Sequence, residues 1–298
     1  MKIVYLVALQ NKGTILDRQA KELQKVNGGT IAYVPHLKPN EPCILPEGDL
    51  FVCTHYSLAD NAVLSGKKII ILFTHESWPI NPEVFNQCAW VIAENNDGAC
   101  LLESKGVKRE IIRIIAECGD NINFNPHERT KDGPVLICGR NYDTNRKNPE
   151  LVDAVIGAMP DRKFIIIGSE WERSIDRYPN VKIHTNIPYD KYIELYEKCS
   201  VYLSCAKLEG GGPNSLIEAM HCNMIPVVSN TGNAREYIVH GYNGYIFKHD
   251  DSPQKVAELI NRAYELNPKE NFPFKDVWET VQHFTWKAYG EQWSEYLS

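Results

Sequence analysis

Short apolar runs punctuate this sequence at fairly regular intervals. The runs are Ile3–Ala8, Thr30–Val34, Leu50–Cys53, Lys68–Phe73, Trp90–Ala93 and Ile112–Ile115, then Val135–Cys138, Lys163–Ile167, Val181–His184, Val201–Ser204 and Ile225–Ser229. They favour Val and Ile and are apolar at consecutive positions rather than at alternating ones. A strand of that kind is covered on both faces, as in a parallel sheet with helices on either side. Between the runs lie segments with a helical period, such as Leu151–Met159 and Tyr189–Cys199. The alternation predicts βαβ units repeated in two halves, an α/β chain with two Rossmann-like domains.

The polar stretch Asn125–Pro134 has a Pro near each end and precedes a fresh strand, which predicts the boundary between the halves. The expected domains are 1–127 and 128–279. Residues 276–298 carry Trp278, Phe284, Trp286, Tyr289, Trp293 and Tyr296 at roughly helical spacing. That apolar set needs a surface to cover, either on the second domain or back on the first. The expectation carried forward is that 280–298 form a helix crossing back to the first domain.

Composition narrows the function classes. A chain of 298 residues, 43% hydrophobic and 23% charged, suits two ordinary globular cores. Net charge is -6 and acidic residues slightly outnumber basic ones in residues 1–127, so bulk electrostatic binding to nucleic acid or anionic lipid is not expected. The nine cysteines are odd in number, scattered and without a CxxC pair. They form neither a disulfide framework nor a zinc site, and they predict reduced thiols in a cytoplasmic protein. The apolar run Ile3-Val4-Tyr5-Leu6-Val7-Ala8-Leu9 is short for a signal peptide and no small-residue cleavage site follows it, so it is read as the first buried strand, and no apolar stretch reaches the roughly 20 residues of a membrane span. No basic amphipathic helix in 1–127 suggests a membrane surface.

The chemistry concentrates in Leu208-Glu209-Gly210-Gly211-Gly212-Pro213-Asn214-Ser215-Leu216-Ile217-Glu218-Ala219-Met220. Three glycines after a strand let backbone approach a ligand, and Pro213, Asn214 and Ser215 suit the first turn of a helix whose free N–H groups attract phosphate. Glu218, three residues beyond Ser215, has the position to accept two hydrogen bonds from a vicinal diol such as a ribose. One segment therefore suits both ends of a nucleoside diphosphate. From the residues alone, a glycine-rich turn with a capping carboxylate is the equal alternative.

At these residues the sequence resembles the retaining glycosyltransferases of the family 4 group, which have the GT-B fold. The resemblance continues through Ile225-Pro226-Val227-Val228-Ser229-Asn230-Thr231-Gly232-Asn233, Arg235-Glu236-Tyr237-Ile238 and Gly241-Tyr242-Asn243-Gly244-Tyr245-Ile246-Phe247. It implies two Rossmann-like domains facing a donor cleft, with the nucleotide held by the second. Glu218 transfers as the donor-binding glutamate, with Gly211, Gly212, Pro213, Asn214, Ser215 and Leu216 around it. Glu209 transfers as the glutamate near the donor sugar, a solvated loop carboxylate being the alternative. Eight residues separate Glu209 from Glu218, one more than the family usually has.

More weakly, Ile137-Cys138-Gly139-Arg140 and Lys147-Asn148-Pro149 resemble the segments where the family sets an arginine and a lysine against the diphosphate. Such cations would stabilise the charge that grows as the bond to phosphate breaks. Arg146 is the alternative to Lys147 and is expected to be a surface charge. Gly139 and Gly168 would shape the nucleotide pocket. In the first half, His75 is the candidate facing the donor sugar, with a structural histidine as the alternative. The loop Gln10–Thr14 keeps only Gly13 of the family's glycine-rich acceptor turn.

The resemblance implies transfer of a sugar from a UDP- or GDP-linked donor to a hydroxyl of a glycan, lipid-linked glycan, protein or small molecule, with retention and without a bound metal. His249-Asp250-Asp251 is read as a turn and helix cap rather than a metal cluster. Two rivals stand beside this: a catalytically silent sugar-nucleotide-binding subunit, and a GT-B sugar-nucleotide epimerase.

Overall fold

The structure is a computed structural model that describes residues 1–35, 44–59, 64–74, 79–130, 132–141, 144–171, 175–209, 214–266 and 276–298. The chain divides into two compact units, one of Met1–Glu117 with Trp286–Ser298, the other of Cys118–Thr285.

The first unit holds β1 (Ile3–Ala8), β2 (Thr30–Val34), β3 (Leu50–Cys53), β4 (Lys68–Phe73), β5 (Trp90–Ala93) and β6 (Ile112–Ile114). All neighbours are parallel, in the order β2-β1-β3-β4-β5-β6. Its helices are α1 (Ile15–Asn27), α2 (Pro82–Phe85) and α3 (Asn96–Ser104). Every residue of β1 and β3 is buried, as consecutive apolar positions require in a sheet covered on both faces. One core cluster joins Leu6, Phe51, Ile71, Phe73 and Val91.

The second unit holds β7 (Val135–Cys138), β8 (Phe164–Ile167), β9 (Val181–His184), β10 (Val201–Ser204), β11 (Ile225–Ser229) and β12 (Tyr245–Phe247). They too are parallel, in the order β12-β11-β10-β7-β8-β9. The helices are α4 (Pro149–Gly157), α5 (Tyr189–Tyr196), α6 (Asn214–His221), α7 (Ala234–Tyr237), α8 (Pro253–Glu265) and α9 (Val277–Val281). The strand Tyr245–Phe247 was not among the sequence-predicted runs. Only three residues long between a glycine and a polar turn, it gains its ladder by pairing with β11 at the sheet edge.

The last helix, α10 (Trp286–Ser294), lies in the first unit against α1. Gly290 makes the approach possible, because a Cβ there would sit 2.6 Å from Val26 Cγ2. Its carbonyl accepts from Asn27 Nδ2 at 2.9 Å, and the Arg18 guanidinium lies over the Trp286 ring at 5.5 Å.

The division falls before the polar stretch that marked it in the sequence, and residues 280–285 belong to the second unit. The cause is a set of local bonds. Gly119 N donates to Phe284 O at 3.2 Å, and the Asp120 carboxylate accepts from Ile122 N, Asn123 N and the Tyr189 hydroxyl. Phe124 packs against the rings of Tyr189, Tyr192 and Tyr196. Residues 118–127 are thereby tied to the second sheet's helices despite preceding its first strand.

Candidate functional site

In the second sheet, β7 is followed on one side by β8 and β9 and on the other by β10, β11 and β12. The chain therefore leaves the carboxyl ends of the adjacent strands β7 and β10 in opposite directions. Such a topological switch point opens a crevice in parallel sheets and is where ligands bind. The loops that leave it carry Gly139, Arg140, Arg146 and Lys147 after β7, and Glu209 after β10.

These loops meet through charge. Glu209 is buried, and its two oxygens take different partners: Oε1 accepts from Lys147 Nζ and Oε2 from Arg146 Nη2, the latter at 3.2 Å. A backbone bond from Lys207 N to Arg146 O, 2.8 Å, fixes one loop to the other. The Arg146 side chain is only 23% exposed, so the surface charge expected from the sequence is instead an interior partner of Glu209. Nor is Glu209 a solvated carboxylate. Two left-handed residues, Asn145 and Asn148, flank the cationic pair and turn the backbone on both sides of it. Asparagine tolerates that conformation better than most residues, and the pattern Asn-Arg-Lys-Asn is the signal in the sequence that marks this turn. Pro149 then starts α4 at its first position.

Two glycines define the wall beneath. Gly168 has φ +151, and a Cβ there would lie 2.1 Å from Gly139 O. Gly139 has φ +130, and a Cβ on it would meet Lys147 Cε at 3.3 Å. The ends of β7 and β8 are thus in backbone contact, with the lysine stem lying across the first glycine. Trp171 Nε1 donates to Gly139 O at 2.7 Å and completes the packing. Arg140 stays exposed, with Glu170 Oε1 4.0 Å from its guanidinium.

Glu218 is buried on α6. Its charge is felt by buried hydroxyl groups of Tyr192, Tyr196 and Tyr202 that sequence reading did not single out. Tyr192 Oη is 2.9 Å from Cys138 Sγ and 2.9 Å from Tyr196 Oη. Burial above all, then the neighbouring Cys138 and the Glu218 carboxylate, hold the Tyr192 hydroxyl well above its ordinary value; Tyr196 and Tyr202 are raised in the same direction with burial again the leading cause. All three remain hydrogen-bond donors at any working pH. Ser215 Oγ pairs with Tyr202 Oη at 2.8 Å, Leu216 is buried, and Asn214 Nδ2 donates to Cys118 O at 2.5 Å. The side chains of the helix start are therefore spent on its anchorage. Gly211, Gly212, Pro213 and His75 lie outside the described residues.

Gly13, in the first unit, has φ +82 with open space where a Cβ would stand, and its N–H donates to Asp17 Oδ2 at 2.8 Å. Asp251 Oδ2 accepts from Lys248 N and Ser252 Oγ from Lys255 N, so the segment after His249 is a turn that starts α8. Among the described residues, no three His, Cys, Asp or Glu side chains converge as a metal site would require. None of the described cysteines forms a disulfide. Among the described residues, no helix is long and apolar enough to cross a membrane.

Two parallel six-stranded sheets in two Rossmann-like α/β domains are the architecture of the GT-B glycosyltransferases. Anabaena Alr3699/HepE in complex with UDP and glucose matches with TM-score 0.79 at 15% identity, over 100% of this chain and 99% of that one. The sucrose-phosphate synthase of Thermosynechococcus elongatus matches with TM-score 0.78 at 14% identity, over 100% and 98%. At such identities the likeness establishes the fold. The family itself is established by sequence: the glycosyl transferases group 1 family matches residues 120–273, just over half of the chain, and this protein belongs to it. An uncharacterized glycosyltransferase, MJ1069 of Methanocaldococcus jannaschii, is 28% identical over 102 residues, 34% of this chain and 26% of the relative. Spore coat protein SA of Bacillus subtilis is 24% identical over 153 residues, 46% and 40%. The matches thus span less than half the length of these curated relatives.

Proposed function

We propose that this chain is a retaining glycosyltransferase of the family 4 type that moves a sugar from a UDP- or GDP-linked donor to a hydroxyl acceptor. The observation that carries the reading is the meeting of Lys147, Gly139 and Glu209 at the switch point of the second sheet, beside the helix that buries Glu218. In this reading Glu218 accepts from the ribose diol. Arg140 and Lys147 hold the diphosphate, with backbone N–H groups from Gly211, Gly212 and the start of α6. Gly139 and Gly168 admit the nucleotide close to the sheet edge. Glu209 serves the donor sugar, and His75 and Gly13 are the first unit's candidates for the sugar and the acceptor.

The reaction breaks the bond from the anomeric carbon to the phosphate oxygen. It forms the new bond from the acceptor oxygen on the same face, and the acceptor proton passes to the departing phosphate. Charge builds on that phosphate, so preorganised cations lower the barrier. Positioning supplies the rest. Support for the sugar-nucleotide class comes from one structural neighbour, Anabaena Alr3699/HepE, solved both with UDP and glucose and with UDP-glucose. The reaction needs no bound divalent ion and takes place in the cytoplasm.

Calorimetry against UDP, GDP, ADP, CMP and their sugar conjugates tests the donor. Glu218→Ala and Arg140→Ala are each expected to weaken binding of the selected nucleotide about tenfold or more, the loss of one charge-assisted hydrogen bond or ion contact. Circular dichroism should show both folded. Parent-like binding by both variants removes this assignment. The extra residue between Glu209 and Glu218 favours a second reading, a silent nucleotide-binding subunit, which any measured sugar transfer rejects.

A further inference from the structure

Arg146 and Lys147 are sequence neighbours, and neighbouring side chains ordinarily diverge. Here the turn between Asn145 and Asn148 brings both head groups to one carboxylate, with Lys147 Nζ on Oε1 of Glu209 and Arg146 Nη2 on Oε2. The three side chains are largely withdrawn from water, at 23% exposure for Arg146, 11% for Lys147 and 5% for Glu209. Two cations repel strongly in such surroundings unless an anion lies between them. In the free protein that anion is Glu209, bridging them through two oxygens as a phosphoryl group would. Glu209 stands on a loop, whereas the cations stand on a turn hydrogen-bonded to that loop and braced against β7 and α4.

We propose that Arg146 is a second diphosphate-binding cation beside Lys147, and that Glu209 is the resident counter-charge that the donor diphosphate displaces. This rests on the donor reading given above. The diphosphate brings more charge and more acceptor oxygens than one carboxylate, and bonds between ionised partners are the strong ones. Guanidinium suits the role because its planar fork can hold two oxygens of one phosphate. Once displaced, Glu209 becomes available to the sugar, so a single exchange of partners would couple arrival of the diphosphate to readiness of the loop carboxylate. The free protein meanwhile avoids the cost of two buried, adjacent positive charges.

The test uses the whole chain, inorganic pyrophosphate, the nucleoside diphosphate chosen by calorimetry, and the matching nucleoside without phosphate. Glu209→Gln removes the competing charge and keeps the shape. It should bind pyrophosphate and the nucleoside diphosphate about tenfold more tightly than the parent, with the nucleoside unchanged. Its melting temperature without ligand should fall, and pyrophosphate should raise it by more than it raises that of the parent. Arg146→Gln should bind the nucleoside diphosphate about tenfold more weakly, again with the nucleoside unchanged, and Arg146→Lys should recover part of the loss. Parent-like pyrophosphate affinity in Glu209→Gln overturns the exchange. Parent-like diphosphate affinity in Arg146→Gln overturns the role of Arg146 while leaving the donor reading intact. If Arg146→Gln does not fold, parent-like diphosphate affinity in Arg146→Met, which keeps the apolar stem and removes the charge, overturns that role equally. A parent that binds the nucleoside but neither diphosphate nor pyrophosphate brings down the donor reading itself, and this proposal with it.

Discussion

Gly168 shows how much a single position can carry. Its φ of +151 is one that side chains rarely adopt, and the Gly139 carbonyl occupies the space where a Cβ would go. Both obstacles are backbone, so neither a rotamer change nor a small shift relieves them. Gly168→Ala should lower the stability of the second unit by about 2 kcal/mol or more, read from urea unfolding. The same change pushes Gly139 and the stem of Lys147 outward, so nucleotide affinity should fall even where the variant remains folded. Residues of this kind were partly legible in the sequence. Glycines at strand ends drew attention because turns and close approaches need them. The ion pairs of Glu209 were not legible. They join positions more than sixty residues apart, and their geometry depends on two left-handed asparagines whose conformation no pattern of apolar residues encodes. The hydroxyl group of Tyr192 beside Cys138 was hidden for a similar reason: its helix was read only for its apolar period.

At the level of elements, consecutive buried positions made the strands legible, because a strand enclosed on both faces leaves an uninterrupted apolar run. The exception, β12, is an edge strand whose existence depends on β11 rather than on its own length. Helix α6 illustrates how an element is held at both ends. Asn214 ties its start to Cys118 O, and near its end the His221 Nε2–H donates to Phe284 O at 3.2 Å. Burial pushes the His221 imidazole below its ordinary value, although the bond to Phe284 O and the charge of Asp120 pull the other way. As pH falls, the unfolded chain therefore binds the proton first. The neutral imidazole contributes its stability above about pH 6.5, and that contribution is lost as pH drops through this value toward the lower folded one. His221→Gln should cost stability near neutrality. It should also flatten the dependence between about pH 7.5 and 5.5 relative to the parent, which urea titrations at both values would show.

On the scale of the whole molecule, each unit has its own sheet, and the donor chemistry proposed here resides in the second. Helix α10 packs in the first unit on α1, through Gly290 and Trp286. Removing residues 286–298 should therefore lower the melting temperature of the first unit and leave the stabilisation given by nucleotide to the second unit unchanged, as differential scanning calorimetry would resolve. A truncated chain that lost its nucleotide response would place donor affinity under the control of the first unit. The sequence suggested a returning helix because six aromatic residues in its tail needed cover. It did not indicate where the return begins, since Phe284 and Trp286 look alike as apolar residues while their backbones serve different units.

That return sets an order of assembly during synthesis. Strands β1 to β6 leave the ribosome before the second unit, yet the face of α1 that meets Gly290 and Trp286 stays open until the whole of Cys118–Thr285 has been made. Contacts so distant along the chain form slowly, and transiently bare apolar surface invites association with other chains. The second unit, continuous in sequence, can close its own core in the meantime. The nascent protein would thus close the unit proposed to hold the nucleotide while the unit made earlier still waits for α10.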